Sequence, residues 1–91
     1  LTTIFLEDTP QRMEELDQSL ASGDTARFTR AAHSIKGSAA NMGAMLLRSA
    51  AEKLEHHSRQ NGLKDVDALI AAVREEFARA RVDLEKLIGR A

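Results

Sequence analysis

The chain of 91 residues contains no cysteine, tryptophan or tyrosine, and it has a single proline. Without cysteine it cannot form a disulfide, a thiol nucleophile or a cysteine-ligated zinc site. Its only aromatic residues are three phenylalanines, so it lacks the stacking platforms that bind single-stranded nucleic acid. A net charge of −1 also argues against a nucleic-acid binder that works by neutralising phosphates.

Long apolar runs are missing as well. No apolar stretch approaches the roughly 20 residues that a membrane-spanning helix needs, so we expect no membrane contact by this domain. The length of 91 residues suits one small domain. The absence of cysteine is compatible with a reducing compartment.

Helix-forming residues are abundant, since alanine, leucine, glutamate and arginine dominate the composition. No segment alternates apolar and polar residues for long enough to predict a strand. Stop signals at Gly23-Asp24, Asn41-Met42-Gly43 and Asn61-Gly62 separate four segments. The sequence therefore predicts helices over residues 2–21, 25–41, 43–60 and 64–88. Their short connections predict an all-α fold, an antiparallel up-down four-helix bundle.

The sequence also predicts an irregularity in the first helix and the core-facing positions of the third and fourth. Pro10 lies inside the first segment and cannot donate to the carbonyl of Leu6, which predicts a kink, or a break with Asp8 or Thr9 as the cap. Apolar residues at three- and four-residue steps predict which side chains face the core. In the third segment these are Met45, Leu46, Ala50 and Leu54, and in the fourth they are Val66, Leu69, Ile70, Val73, Phe77, Ala80, Leu84, Leu87 and Ile88.

His33 falls on the outer face of the second helix. A helix turns about 100° per residue, and with Phe28 at the centre of the buried face His33 lies about 140° away. The residues within about 40° of that centre are Ala32, Ile35, Ala39 and Met42. The neighbours of His33 on the outer face are small or basic: Ala26, Thr29, Arg30, Gly37 and Ala40. The pattern predicts an uncovered imidazole that can reach another molecule.

The residues next to His33 favour a nucleophile that carries an anion. Gly37 follows one turn later, and a glycine inside a helix costs about 1 kcal/mol relative to alanine. Two explanations would compensate for that cost: close packing of another helix against Gly37, or free approach of another molecule to His33. Because Gly37 points outward, the second explanation is favoured. Lys36 and Arg30, three residues to either side, can direct their charges toward an anion on the imidazole, and Ser38 adds a hydrogen-bond donor.

The run His33-Ser34-Ile35-Lys36-Gly37-Ser38-Ala39, followed by Asn41-Met42-Gly43-Ala44, resembles the signature of histidine-containing phosphotransfer (HPt) domains. That signature has a lysine three residues after the histidine, a glycine four after it, then a small or hydroxyl residue, and a glycine ten after it. The resemblance extends over nearly the whole chain and includes Gly23-Asp24 and Leu54-Glu55.

The resemblance implies a phosphorelay intermediate in two-component signalling. Nε2 of His33 would accept a phosphoryl group from the aspartyl phosphate of a receiver domain and pass it to another receiver. Lys36 would compensate the charge of the phosphoryl group, Gly37 would give the receiver access to His33, and Ser38 would offer a hydrogen bond. The receiver would dock on an exposed surface that includes Thr29, Arg30 and Ala40. Such a domain is not an enzyme by itself, and we expect no cofactor or metal in it, with Mg²⁺ held by the receiver.

The resemblance leaves the context of the domain open. We expect a cytoplasmic monomer, either a stand-alone carrier or a module of a hybrid sensor kinase that is tethered to the membrane. The phosphoacceptor domain of a chemotaxis-type histidine kinase shares the same core motif and is the first alternative. A dimerising histidine-kinase helix pair fits less well because an acidic residue usually follows its histidine, and here Ser34 does. A helical interaction scaffold without phosphorylation is the alternative of another class.

Other titratable pairs predict no site. His56 and His57 are adjacent, so their side chains point about 100° apart and chelate poorly. Glu52 and His56 are four residues apart and could share a metal, but no third ligand accompanies them. We interpret these residues, and Glu75-Glu76, as solvated surface.

Overall fold

The computed structural model describes residues 1–89, and regular structure within them is entirely helical. The four helices are α1 (Thr2–Ser22), α2 (Thr25–Met42), α3 (Met45–Asn61) and α4 (Asp67–Leu87). α1 packs on α2, α2 on α3, α3 on α4, and α4 returns to α1. The helices enclose one apolar core in a body of 40 × 20 × 19 Å. Within residues 1–89, no helix has the length and hydropathy needed to cross a membrane.

The junction between α1 and α2 is built from local backbone chemistry. Gly23 adopts a left-handed conformation with φ 73°, which costs glycine little because it has no Cβ. Its N–H donates to the carbonyl of Leu20, and the N–H of Asp24 donates to the carbonyl of Ser19. The carboxylate of Asp24 then accepts the N–H of Arg27 and caps α2. Gly23 and Asp24 are therefore the only residues between the end of α1 and the start of α2.

α1 continues through Pro10, so the expected break with Asp8 or Thr9 as a cap is wrong. Proline in a helix interior costs about 3 kcal/mol, but each buried apolar side chain contributes about 1.5–3 kcal/mol. The side chains whose burial outweighs the cost of Pro10 lie on both sides of it. They are Phe5, Leu6, Met13 and Leu16. Pro10 itself is exposed.

The core is centred on large side chains from all four helices. The largest fully buried ones on the helices are Leu16, Phe28, Ile35, Leu47, Leu54 and Val73. The rings of Phe5 and Phe77 lie 5.7 Å apart and are tilted by 54°, an arrangement that aromatic pairs favour. Most of the buried face expected for α2 is observed, since Phe28, Ala32, Ile35 and Ala39 are fully buried and Met42 is half-buried against the core.

At the start of α3 the expected core positions are wrong. Met45 and Leu46 are exposed, Leu46 by 67%, and Leu47 is buried in their place. α3 begins only at Met45, and the side chains of Met45 and Leu46 line an open surface groove beside α4. The buried stripe begins at Leu47 and continues through Ala50 and Leu54.

α4 differs from expectation at both ends. It begins at Asp67 rather than near Lys64, because Gly62 and Asp65 both take positive φ values that interrupt a helix. At the other end Leu87 is 80% exposed and Ile88 is also exposed, so their assignment to the core is wrong. The last turns of α4 extend beyond the residues that cover it.

Thr9 buries a hydroxyl that has no hydrogen-bond partner among the described residues. A buried polar group without a partner costs about 1–3 kcal/mol. We therefore expect Thr9→Val, which keeps the shape, to raise the free energy of unfolding by about 1 kcal/mol, measured by urea denaturation. Ser19→Ala is the matched control: that buried hydroxyl donates to the Glu15 carbonyl, so its loss should lower stability. Equal effects of the two changes would contradict the argument.

Candidate functional site

His33 lies on the exposed face of α2, and 60% of its side chain is accessible. Its position follows from the register of the helix, because Ala32 and Ile35 on the opposite face are fully buried and fix the rotation of α2 about its axis. The burial of those neighbours therefore presents the imidazole to solvent, as the helical pattern predicts.

A buried carboxylate on α3 holds the imidazole. Oε2 of Glu55 lies 2.8 Å from Nδ1 of His33, and only 7% of the Glu55 side chain is exposed. An ionised carboxylate only accepts hydrogen bonds, so Nδ1 of His33 carries the hydrogen and donates it. The neutral ring then keeps its lone pair on Nε2. Glu55 thereby selects the tautomer in which the second ring nitrogen is a nucleophile.

Glu55 also binds two permanent cations. Nζ of Lys36 lies 2.7 Å from Oε1, and Nη2 of Arg59 donates to Oε2 at 2.6 Å. Oε1 accepts no well-aligned hydrogen bond, so its contact with Lys36 is an ion pair. One buried carboxylate is therefore shared by three nitrogen-bearing side chains, two from α2 and one from α3.

The three contacts determine the charge state of Glu55. Burial by itself would raise the pKa of this carboxyl group, because it disfavours the charged form. The contacts with Lys36, Arg59 and His33 outweigh burial and lower the pKa of Glu55 from 4.5 to about 2. The carboxylate is thus ionised throughout the physiological pH range and accepts the Nδ1 hydrogen of His33.

This lowered pKa predicts how stability depends on pH. A carboxyl group whose pKa is lower in the folded state contributes stability above its unfolded-state pKa. That contribution is lost as pH falls from about 4.5 toward 2, by up to about 3 kcal/mol. We expect Glu55→Gln to flatten this part of the profile, measured as the free energy of unfolding in urea between pH 2.5 and pH 6. Parallel pH profiles for the two proteins would refute the link to Glu55.

A second polar contact joins α2 to α3 one turn before His33. The hydroxyl of Ser58 uses its only hydrogen to donate to the Glu55 carbonyl at 2.9 Å. In the 2.7 Å contact between Thr29 Oγ1 and Ser58 Oγ, Thr29 is therefore the donor. Thr29, which the sequence places on the docking surface, therefore also ties the two helices together. This bond fixes the register in which Glu55 meets His33.

Gly37 lies on open surface beside His33. A Cβ atom added at Gly37 would meet nothing within 4 Å, so no neighbouring helix requires the glycine for close packing. Ala40, one turn further along, is exposed too. At Gly37 and Ala40 the surface of α2 therefore carries no bulky side chain.

The other residues singled out in the sequence lie on different sides of α2. Arg30 is exposed and lines a groove with His33 and Arg59. Ser38 is half-buried and lines a groove toward α1 with Leu1 and Asp8. The structure brings Lys36 and His33 together on Glu55 but directs Ser38 toward α1.

Sequence reasoning did not identify Glu55 or Arg59 as site residues. A signal for Glu55 exists, since it shares the buried stripe of α3 with Ala51, Leu54 and Ser58. A carboxylate at such a position needs partners, and Arg59 follows it by one helical turn. Which residue of α2 meets Glu55 depends on how the two helices pack, and local periodicity does not contain that information.

In the described part of the chain, the histidines of α3 belong to no cluster of potential metal ligands. Residues 1–89 contain no group of three or more His, Cys, Asp or Glu side chains that could hold a metal ion. Nε2 of His57 lies 2.6 Å from the carbonyl of Lys64 and donates to it. His57 therefore secures the connection between α3 and α4, while His56 is exposed.

Comparison with known proteins agrees with the family that the motif suggests. The family model described as Hpt domain matches residues 1–83. No curated protein and no solved structure matches the chain significantly. The matched range contains His33, Lys36, Gly37, Glu55 and Arg59, and it covers most of the chain. The chain belongs to the Hpt domain family, whose members are phosphotransfer carriers in two-component signalling.

Proposed function

We propose that residues 1–91 form one phosphorelay domain in which His33 accepts a phosphoryl group from the aspartyl phosphate of one receiver domain and passes it to another receiver. The observation that carries this proposal is the accessible imidazole whose Nδ1 hydrogen is held by the buried carboxylate of Glu55. This contact leaves the lone pair of Nε2 free to attack. A helical scaffold without chemistry has no need of an ionised buried carboxylate at this position.

The transfer step uses Nε2 of His33 as the nucleophile. Its lone pair forms the bond to phosphorus while the bond from phosphorus to the aspartate oxygen breaks, and the aspartate leaves as a carboxylate. The ring then carries positive charge because Nδ1 keeps its hydrogen. Glu55, 2.8 Å away, stabilises that charge as the carboxylate of a catalytic triad stabilises its imidazolium. Onward transfer is the same step in reverse, with a second aspartate as the nucleophile.

The two partners divide the remaining work. Phosphoryl transfer depends on positioning and on charge compensation. Lys36 lies on the same carboxylate as His33, and we propose that it compensates part of the phosphoryl charge. The receiver supplies Mg²⁺ and the other groups that stabilise the transition state, and this domain binds no cofactor. By itself the domain is a carrier and does not use ATP.

The receiver docks on the exposed surface around His33. Gly37 and Ala40 provide a flat approach, and Arg30 supplies positive charge toward the acidic active site of a receiver. Ser38 faces α1 and offers its hydrogen bond at the edge of this surface. We propose that the domain acts as a cytoplasmic monomer, within a hybrid sensor kinase or free-standing, and does not bind nucleic acid.

We also propose the antiparallel up-down arrangement of the helices. Cross-helix contacts support it, because Thr29 meets Ser58 while His33, later in α2, meets Glu55, earlier in α3. Arg27, near the start of α2, likewise pairs with Glu15 and Gln18, in the second half of α1.

The test is transfer from a panel of phosphorylated receiver domains with Mg²⁺. We expect label on the domain that is acid-labile and base-stable, that maps to His33 by mass spectrometry, and that moves on to a second unphosphorylated receiver. Acceptance only from the ATP-binding domain of a chemotaxis-type kinase would replace the relay with that alternative. An absence of label from every donor, with the fold intact, would favour the scaffold.

A further inference from the structure

The structure points to a role for Arg59, which belongs to neither the signature motif nor the docking surface described above. Its Nη2 atom donates to Oε2 of Glu55 at 2.6 Å, the same oxygen that accepts the Nδ1 hydrogen of His33 at 2.8 Å. Arg59 also lines the groove that contains His33 and the groove that contains Lys36. It therefore lies beside the imidazole and competes with it for one acceptor.

Charged groups from α2 and α3 lie around His33. The charged groups that face it are Arg30 and Lys36 from α2, and Glu55 and Arg59 from α3. Glu55 supplies one negative charge, and Lys36 and Arg59 on that same carboxylate supply two positive charges. Protonation of His33 would add a third positive charge to one buried carboxylate. On the far side of α2, Arg12 and Glu15 of α1 line a groove beside Ser34 and do not line the one that contains His33.

Glu55 alone would have the opposite effect. A carboxylate 2.8 Å from an imidazole nitrogen stabilises the imidazolium as well as the desired tautomer, and an imidazolium has no lone pair with which to attack phosphorus. For phosphoryl transfer, Glu55 must orient the His33 ring without causing that ring to be protonated. A second cation on the same oxygen meets that need.

We infer that Arg59 is a positioning residue that, through Glu55, keeps His33 neutral and nucleophilic near neutral pH. Lys36 contacts the other carboxylate oxygen, Oε1, so Arg59 is the cation that shares an acceptor oxygen with His33. The role rests on the proposed function, since a neutral imidazole matters only if His33 accepts a phosphoryl group. It concerns the free domain and requires no contact between Arg59 and the receiver.

The first test is an NMR titration of the His33 ring nitrogens in the free, ¹⁵N-labelled protein. We expect Arg59→Gln to raise the midpoint of the His33 titration by about half a pH unit. Arg59→Lys, which keeps the charge, should restore most of the wild-type midpoint. Arg79→Gln is the matched control, because Arg79 makes an equivalent contact four residues from Glu75 on α4 and should leave the midpoint unchanged. A midpoint that is unchanged or lower in Arg59→Gln overturns the inference.

A double-variant cycle tests whether Arg59 acts through Glu55. We expect Glu55→Gln to lower the midpoint, because it removes the negative charge. Adding Arg59→Gln to that variant should have less than half of its effect in the wild type, since Arg59 loses the contact that holds it beside His33. An equal effect in both backgrounds would contradict the shared-oxygen mechanism.

The consequence for reactivity is measured with phosphoramidate, a chemical donor that needs no receiver. Nε2 forms the bond to phosphorus while the phosphorus–nitrogen bond of the donor breaks and ammonia leaves. Below the midpoint we expect Arg59→Gln to accept phosphate about threefold more slowly than wild type, with the two rates converging above pH 8. If receivers do not label His33 but the titration shifts, the proposed function fails and the electrostatic role stands. If receivers label it but the titration does not shift, the inference about Arg59 fails.

Discussion

Replacing His33 with glutamine should reduce phosphoryl acceptance from any receiver to the background of the assay. Glutamine has no nucleophilic ring nitrogen, and no neighbouring side chain can take over the bond to phosphorus. Because His33 is 60% exposed and loses only one hydrogen bond, we expect stability to change by no more than about 1 kcal/mol. Label transfer from a phosphorylated receiver, with circular dichroism for the fold, measures both effects.

The matched control for this variant is His56→Gln. His56 is an exposed histidine on α3 and tests whether loss of any surface histidine lowers labelling. It should retain most of the wild-type acceptance rate. Labelling of His33→Gln at more than a few per cent of the wild-type level would mean that the phosphoryl group resides elsewhere, and the assignment of His33 would then be wrong.

The second large effect is expected at Gly37. Gly37→Arg should slow transfer from a receiver by roughly 100-fold, because a long side chain one turn from His33 keeps the two reacting groups apart, and small displacements are costly in such reactions. The same change should raise the free energy of unfolding by about 0.5–1 kcal/mol, since arginine favours helix over glycine and a Cβ at this position meets nothing. In Gly37→Arg the rate of transfer should therefore fall while the free energy of unfolding, measured by urea denaturation, rises.

Two further variants separate docking from reactivity. Gly37→Arg should still accept phosphate from phosphoramidate at close to the wild-type rate, because a small donor does not need the flat surface. Ala78→Arg, at an exposed position on α4, should leave receiver transfer unchanged and so control for added charge. Normal receiver transfer by Gly37→Arg would disprove the role of this glycine in access.

The expected losses of transfer in His33→Gln and Gly37→Arg have different causes, the chemical step in one and the encounter with the receiver in the other. In the proposed relay, His33 and Glu55 serve the chemical step, because His33 would attack phosphorus while Glu55 holds the ring in the reactive tautomer. In the same proposal, Gly37 serves the encounter with the receiver, because it would keep the approach to the ring open. The chemistry lies at the α2–α3 interface, whereas the access depends on α2 alone.

Local features of the sequence determined the helices and one face of the site. Gly23 and Asp24 define the first junction because their conformational and capping preferences act within a few residues. The exposure of His33 follows from the spacing of Phe28, Ala32 and Ile35, since 100° per residue fixes which side chains share a face. The motif around His33 was sufficient to suggest the family, which the match over residues 1–83 confirms.

Predictions failed where competing interactions, or an end of the bundle, decided the outcome. Pro10 was expected to kink or break α1, and the break does not occur because burial of the apolar stripe on both sides of Pro10 outweighs it. Leu46 and Leu87 have the residue type of core positions, but they lie near helix ends and are 67% and 80% exposed. Periodicity describes one helix at a time, so it cannot show where the neighbouring helices end.

The partner of the His33 ring was decided only by the tertiary structure. Glu55 lies 22 residues from His33, and the distance of 2.8 Å between them exists because α2 and α3 pack in one register. The same packing brings Lys36 to the carboxylate from the other helix, and the resulting charges lower the pKa of Glu55 to about 2. By itself the sequence determined which histidine is presented to solvent, because that depends on the rotation of a single helix. Which groups tune that histidine depends on contacts between helices, which form only when the core packs.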